Sequence, residues 1–237
     1  IIDYLVNHKH IRWVVSCSGG WDLNFSIMAK EPQEFVQIYR DIENAFGEFI
    51  AEKNVSLLIK SPGFTKGHLI GQKSMKVLEY APELKEREVE EVDRKILKAI
   101  SQNARKSIID IAKEINSTID IVRYRLKKIE KNKLISGYTI QLNLAKINLL
   151  RYSVFFSLHK MNENVEKKMI EFAKVNHNII FILILIGSYD LSLELEVSSH
   201  QILESVIKKF REIFAENIND FEIILNTYEY KYDYYPF

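Results

Sequence analysis

The amino-acid sequence predicts an α+β fold class, and three observations lead to this prediction. Segments in which apolar and polar residues alternate, as in half-buried strands, are followed by segments whose apolar residues recur every three or four positions, as in amphipathic helices. Two stretches of this kind resemble each other at a constant spacing of 168 residues. A basic segment with a helical pattern separates them. We therefore expect two related sheet domains with a helical domain between them.

The repeat aligns residues 11–50 with residues 179–218. In each copy an apolar strand leads to a short turn, an alternating strand and an amphipathic helix. A final strand follows, at 55–60 in the first copy and from Phe221 in the second. The turns are Gly19-Gly20-Trp21-Asp22 and Gly187-Ser188-Tyr189-Asp190. The two copies are therefore predicted to fold alike.

The second copy, residues 144–237, predicts a complete ferredoxin-like sandwich. A strand at 152–159 and a helix at 164–175 precede the repeated part, which gives the order β-α-β-β-α-β and two helices on one face of an antiparallel sheet. The first copy, residues 1–71, has no segment for the opening strand, and residues 1–7 match the end of its first helix. We therefore expect an incomplete domain in a chain that starts inside it and belongs to a longer tandem protein.

The positive charge of the chain is concentrated in its middle. Residues 72–91 are rich in Glu and Lys, and with Pro82 at a position typical of a helix start they predict a charged helical linker. From Asp93 to Tyr138 there are twelve basic and five acidic residues, so this segment carries +7 in a chain whose total is +1. The remainder carries −6, and only the central segment suits a polyanion.

Residues 92–143 predict a winged helix-turn-helix domain. The apolar spacing gives helices at 92–102, 108–115 and 119–132, and Ser107 with Asp110 resembles a capping box before the second helix. Asn116 tolerates a left-handed backbone and Thr118 can cap the third helix, so the chain can turn sharply between them. Alternation over 134–142 predicts a β-hairpin wing or its stub.

The third helix is predicted to enter the major groove of double-stranded DNA. It buries Val122, Leu126 and Ile129 and carries basic and aromatic side chains on the other side. We expect groove contacts from Arg123, Arg125 and Lys127 with Tyr124 beside them, and phosphate contacts from Lys128, Lys131, Arg105 and Lys106. Thr118 and Asp120, at the helix start, complete the predicted DNA-binding residues. A solvated charged helix that binds nothing is the alternative interpretation.

Composition argues against several classes of protein. Cys17 is the only cysteine, which excludes a disulfide framework and a thiolate metal site and favours a cytoplasmic location. The longest apolar run, residues 179–186, is far shorter than the roughly 20 residues of a membrane span, so no membrane partner is expected. His8 and His10 have no third ligand nearby, and neither a metal nor another cofactor is predicted.

These motifs resemble the Lrp/AsnC, or feast/famine, family of prokaryotic transcription regulators, in an archaeal-like, tandem form. The resemblance is carried by Asp93-Arg94-Lys95-Ile96-Leu97, by residues 122–130, by Leu134-Ile135-Ser136-Gly137-Tyr138 and by the turn at 187–190. It covers residues 92–230, and residues 1–71 resemble a second sensing domain. Thr118-Ile119 stands where many relatives have Ser-Pro, so the base contacts are expected to differ.

The resemblance implies ferredoxin-like domains that pair sheet to sheet and bind a small ligand, often an amino acid, near the pairing interface. It places ligand contacts at Gly187, Ser188, Tyr189, Asp190, Gly19 and Asp22. An Asp in such a turn can instead bind the neighbouring backbone, and this alternative stays open. Self-association is expected within the chain, as a pseudo-dimer with a second DNA-binding unit upstream, or between copies.

We therefore expect a sequence-specific DNA-binding transcription regulator without enzymatic activity. Siroheme decarboxylases look like the same family, so an enzyme on this scaffold is one alternative, although His68, His159, His177 and His200 form no cluster in the sequence. A non-specific architectural DNA-binding protein is the other. Four alternating tyrosines, Tyr228, Tyr230, Tyr232 and Tyr234, predict packing at a core or interface, or else a stacking platform for single-stranded nucleic acid.

Overall fold

The structure, a computed structural model, describes residues 1–66, 69, 77–80 and 89–235. The strands are β1 (Ile11–Ser18), β2 (Leu23–Ile27), β3 (Ser56–Phe64), β4 (Val77–Tyr80), β5 (Leu150–Leu158), β6 (Ile179–Gly187), β7 (Leu191–Val197) and β8 (Ile218–Tyr232). The helices are α1 (Ile2–Asn7), α2 (Pro32–Phe46), α3 (Glu91–Ser101), α4 (Ile108–Glu114), α5 (Ile119–Lys131), α6 (Glu163–Val175) and α7 (His200–Ile213). The strands form one antiparallel sheet in the order β2-β1-β8-β5-β7-β6-β3-β4.

The C-terminal unit, which we define as β5 to β8 with α6 and α7, confirms the predicted ferredoxin-like fold. Its strands lie in the order β8-β5-β7-β6, and both helices pack on one face. Phe156 on β5, Met169 on α6 and Phe210 on α7 are completely buried in the shared core. Each such side chain contributes about 1.5–3 kcal/mol through its removal from water. The chain therefore has the expected α+β architecture, with apolar helix stripes covering a sheet.

The N-terminal unit, defined as α1, β1, β2, α2 and β3, has a smaller core of its own. Ile38 and Ile42 on α2 are buried against Ile11 and Val14 on β1, and Leu5 on α1 is completely buried beside them. Within the part of the chain that the structure describes, β4 pairs with β3 on the edge that corresponds to the β5 side of β8, and no strand pairs with the outer edge of β2. That the first unit is incomplete stays a prediction.

The two units pair through their strand edges with one repeated register. On one side Ser16 of β1 lies opposite Tyr228 of β8, and on the other Ile184 of β6 lies opposite Lys60 of β3. Ile184 is 168 positions after Ser16, and Tyr228 is 168 positions after Lys60. Cys17 opposite Asn226 and Leu185 opposite Leu58 obey the same relation. The units are therefore related by an approximate two-fold axis, as in a symmetric dimer.

The units pair through their edges because hydrogen bonds between edge strands satisfy the N–H and C=O groups that each edge would otherwise expose. They also touch face to face, as expected for sheet-to-sheet pairing, since Trp21 of the N-terminal unit packs on Phe155 and Tyr189 of the C-terminal unit. A polar cluster spans the seam between the units. Trp13 of β1 donates from Nε1 to Glu229 of β8 over 2.9 Å, and Arg151 of β5 donates to the same carboxylate over 2.8 Å.

The predicted helical linker over residues 72–91 is wrong at residues 77–80. Val77–Tyr80 form strand β4, which pairs with β3 from Ser61 to Phe64. The edge of β3 offers backbone partners, and the sequence Val-Leu-Glu-Tyr contains residues that favour strands. Residues 72–76 and 81–88, with Pro82, lie outside the described residues. Among the helices that are described, none is long and apolar enough to cross a membrane.

The two repeated turns close in the same way but are used differently by the fold. The amide of Leu185 donates to the carbonyl of Asp190 over 2.8 Å, and the amide of Cys17 donates to the carbonyl of Asp22 over the same distance. The Asp190 carboxylate also accepts from the amide of Leu158, at the end of β5, over 2.7 Å. The Asp22 carboxylate accepts no hydrogen bond from the described residues, in which no strand pairs with the outer edge of β2. Asp190 therefore holds the end of β5, whereas the equivalent carboxylate of Asp22 holds no strand.

We expect Asp190→Ala to lower the free energy of unfolding by about 1–3 kcal/mol, since it leaves the Leu158 amide without its acceptor. The matched variant Asp22→Ala should change it by less than about 0.5 kcal/mol, as is usual where no special contact is lost. Urea denaturation of both variants measures the difference. Equal losses would show that the two turns do not differ as described.

Candidate nucleic-acid interface

Helices α3, α4 and α5 form a small domain around one apolar core. Ile96 of α3, Ile111 of α4, and Val122 and Ile129 of α5 are almost completely buried in it. The local signals predicted from the sequence are present. The Ser107 hydroxyl accepts from the Asp110 amide over 3.1 Å, and the Thr118 hydroxyl accepts from the Ile121 amide over 3.3 Å. The predicted helix-turn-helix is therefore built by short-range contacts.

The turn between α4 and α5 depends on one left-handed residue. Asn116 has φ +55°, a conformation that Asn adopts more readily than most residues other than Gly. The Ser117 amide then donates to the carbonyl of Ala112 over 2.9 Å, which closes the end of α4. The chain therefore turns sharply between α4 and α5, and both helices pack on one core.

Arg125 is a correction to the predicted groove contacts. Its guanidinium donates to both carboxylate oxygens of Asp93 on α3, at 2.7 and 2.5 Å, and to Glu90 at 2.7 Å. The Arg125 side chain is only 11% exposed, and that of Asp93 is 5% exposed. The hydrogen bonds from Asp93 and Glu90 raise the pKa of Arg125 above its ordinary value. Arg125 therefore joins α5 to α3 and does not project toward a groove.

Sequence reasoning missed Asp93 as the partner of Arg125. Asp93 lies three positions before Ile96 and is buried on the inner face of α3, where a carboxylate needs an ionic partner. That placement on an otherwise apolar stripe is the signal that could have identified the pair. The contact joins residues 32 positions apart, so it cannot be recognised from either helix alone.

The outer face of α5 has an apolar part and a charged part. Ile121 and Tyr124 are 46% and 65% exposed and lie three positions apart, so they are neighbours on the helix surface. Beside them Arg123 donates to the Asp120 carboxylate over 2.8 Å, within the helix. We call Asp120, Ile121, Arg123, Tyr124 and Lys127 the recognition face.

The predicted phosphate contacts fall into two groups. Lys106 pairs with Glu114 at 2.5 Å, and Lys128 lies 3.7 Å from Glu90. Lys127, Lys131 and the side chain of Arg105 form no ion pair with the residues that the structure describes. The cations of the second group are exposed and need not break a contact to reach a phosphate.

The β-hairpin wing or stub predicted over residues 134–142 contains no strand: Leu134 and Ile135 lie in a bend, and residues 136–143 have no regular secondary structure. Tyr138 donates its hydroxyl to Glu130 of α5 over 2.6 Å. Burial and this hydrogen bond raise the pKa of Tyr138 to about 12. Gln141 donates to Glu229 of β8. The side chains of the segment therefore bind α5 and the sheet, so that their alternation does not signal a hairpin.

The predicted ligand residues in the repeated turns are largely engaged by the protein itself. Gly187 has φ +144°, and a Cβ there would lie 2.4 Å from the carbonyl oxygen of Val55. Ser188 donates to that oxygen over 3.2 Å, and Tyr189 donates its hydroxyl to Glu222 over 2.6 Å. Gly19 has φ +129°, and a Cβ there would lie 3.1 Å from the carbonyl oxygen of Ile223, the residue that corresponds to Val55 in the repeat. The carboxylate of Asp22 is the polar group of this set that has no partner among the described residues.

The aromatic residues of the two turns meet where the units join. The Trp21 ring lies 4.5 Å from that of Phe155 and 5.7 Å from that of Tyr189. Trp21 and Tyr189 are equivalent in the repeat, so the contact lies on the approximate two-fold axis. The four alternating tyrosines form two ring pairs, each 4.7 Å apart: Tyr228 with Tyr230, and Tyr232 with Tyr234.

The histidines considered for an enzyme belong to separate elements. His159 follows β5, His177 precedes β6, and His200 begins α7, where it lies 3.2 Å from Glu204; His68 is outside the described residues. In the ranges that are described, no group of three His, Cys, Asp or Glu side chains could hold a metal ion.

Comparison with known proteins agrees with this geometry. A family model described as winged helix-turn-helix DNA-binding matches residues 90–136. An uncharacterized HTH-type transcriptional regulator of Pyrococcus furiosus is 30% identical over 129 residues, which cover 53% of this chain and 80% of the relative.

Solved structures show the same fold. An AsnC family transcriptional regulator from Agrobacterium tumefaciens is 18% identical and has a TM-score of 0.52, over 62% of this chain and 95% of that one. A transcriptional regulator from Neisseria meningitidis in complex with L-Met is 16% identical, with a TM-score of 0.54 over 62% of this chain and 96% of that one.

We expect Arg125→Met to lower the free energy of unfolding of the α3–α5 domain by about 2–4 kcal/mol, because it leaves Asp93 buried without its partner. Arg123→Met removes a cation of the same type from the same helix, but an exposed one, and should be nearly neutral. Amide hydrogen exchange of α3 and α5 measures both effects. Similar stabilities of the two variants would contradict the structural role of Arg125.

Proposed function

This chain belongs to the HTH-type transcriptional regulators and has the fold of the Lrp/AsnC regulators, and on that premise we propose that it regulates transcription by binding specific DNA sequences through α5. The observation that carries the proposal is the outer surface of α5. Its inner side packs on α3 and α4, whereas Lys127 and Lys131 are exposed and have no ionic partner among the described residues. A helix held in this way suits the major groove.

The distribution of charge supports this orientation. The segment from Asp93 to Tyr138 carries +7, whereas residues 1–71 carry −1, residues 72–92 carry −2 and residues 139–237 carry −3. DNA is therefore attracted to the helical domain and not to the sheet units, which steers α5 toward the duplex. A neutral total charge is compatible with DNA binding because the relevant charges are separated in space.

We expect Lys127→Ala and Lys131→Ala each to weaken DNA binding and to reduce the slope of log affinity against log salt by about 1, because each removes one phosphate contact. Lys168→Ala removes an exposed lysine of α6, on the acidic sheet unit, and should change neither quantity. Fluorescence anisotropy with a labelled duplex at several salt concentrations measures the slopes. Unchanged slopes in both α5 variants would refute binding through α5.

We also propose that an amino acid regulates this activity by binding at the turn that contains Asp22. The support is that the Asp22 carboxylate has no partner in the described part of the chain, so it can accept a ligand ammonium group at little cost. The equivalent carboxylate of Asp190 already holds β5. The complex of the Neisseria meningitidis regulator with L-Met makes L-methionine the first compound to test.

We expect an amino-acid ligand to raise the melting temperature of the protein, because it binds the folded state. A screen of the common amino acids by thermal shift, starting with L-methionine, should identify it. Asp22→Ala should abolish the shift, and Asp41→Ala, an exposed carboxylate on α2, should leave it unchanged. If no amino acid shifts the melting temperature, or if Asp22→Ala responds like the parent, this site is excluded.

A further inference from the structure

We propose that α5 identifies its operator chiefly through the 5-methyl groups of thymine, which Ile121 and Tyr124 contact. The inference rests on the proposed function, because it assumes that α5 lies in the major groove. It assigns the specificity to the apolar part of the recognition face, whereas the sequence alone favoured the arginines of α5.

The polar groups near the start of α5 are already engaged within the protein. The Thr118 hydroxyl accepts from the Ile121 amide, and Arg123 donates to Asp120 over 2.8 Å. Arg125 binds Asp93 and Glu90 and is almost buried. The N-terminal part of a recognition helix is the part that reaches base edges. Arg125 would therefore have to leave its nearly buried ion pair before it could bind a guanine, and Arg123 would have to turn away from Asp120.

Ile121 and Tyr124 need no such rearrangement. Both side chains are largely exposed, and they adjoin each other on the outer side of a helix whose other outer residues are mostly charged. Exposed apolar side chains at a surface that binds a partner indicate apolar contacts with that partner.

The major groove offers one apolar group for such a contact. Thymine carries a methyl group at C5, and the other natural bases present hydrogen-bond donors and acceptors there. Burying one methyl group against Ile121 corresponds to about a three- to fivefold gain in affinity. Phosphate contacts from Lys127 and Lys131 add affinity without reading the sequence. The two sets of residues therefore make separable contributions.

The test begins with selection of bound sequences from random duplexes by the full chain. Each thymine of the selected site is then replaced singly by deoxyuridine, which removes only the methyl group. We expect at least one replacement to weaken binding about three- to fivefold. Ile121→Ala should reduce that thymine-to-uracil ratio to nearly one. Tyr124→Phe should keep it, since the ring and not the hydroxyl is required.

Lys127→Ala is the matched control, because it should weaken binding to the thymine and uracil duplexes equally. Circular dichroism of Ile121→Ala checks folding, which an exposed side chain should not affect. A selected site that contains only G·C pairs would overturn the inference, as would deoxyuridine replacements without effect or a ratio that Ile121→Ala leaves unchanged. In each of these cases DNA is still bound. Absence of any duplex binding would instead refute the proposed function itself.

Discussion

Hydrogen bonding of β1 to β8 and of β3 to β6 is the constraint on which the rest of the structure depends. It joins the two ends of the described chain in one sheet, and its register repeats at the same spacing of 168 residues that relates the two copies. The helical domain lies between β4 and β5 in the chain. The seam is also polar, since Glu229 accepts from both Trp13 and Arg151. Removal of one member of such a network leaves the other polar groups unpaired, and this destabilises the fold by more than the intact network stabilises it. The seam therefore favours one unique pairing.

The helical domain shows how a charged helix can divide its side chains between structure and recognition. Val122 and Ile129 bind α5 to its neighbours through apolar contact, and Arg125 adds a directional ion pair with Asp93. These contacts fix the rotation of α5 about its axis. The outward direction of Ile121, Tyr124 and Lys127 follows from that rotation. The +7 of the segment from Asp93 to Tyr138 adds a long-range attraction for DNA that the sheet units, at −1 and −3, do not share.

The parts of the fold that depend on short-range contacts could be predicted from the sequence. The caps at Ser107 and Thr118 join residues three positions apart, and Asn116 has the left-handed backbone that its residue type allows. The repeat also predicted the shared order of strand, turn, strand, helix and strand in the two units. Contacts between distant segments could not be predicted in this way. The edge pairing, the Arg125 ion pair, strand β4 and the irregular segment at 134–143 all depend on partners that lie elsewhere in the chain.

If the outer side of α5 meets the DNA, its lysines become less reactive when a duplex binds. Acetylation of surface lysines, quantified by mass spectrometry with and without duplex DNA, compares many positions in one sample. We expect strong protection of Lys127 and Lys131 on α5, while Lys167 and Lys168 on α6 and Lys208 on α7 react as in the free protein. Protection of the α6 and α7 lysines with unchanged reactivity on α5 would contradict this expectation.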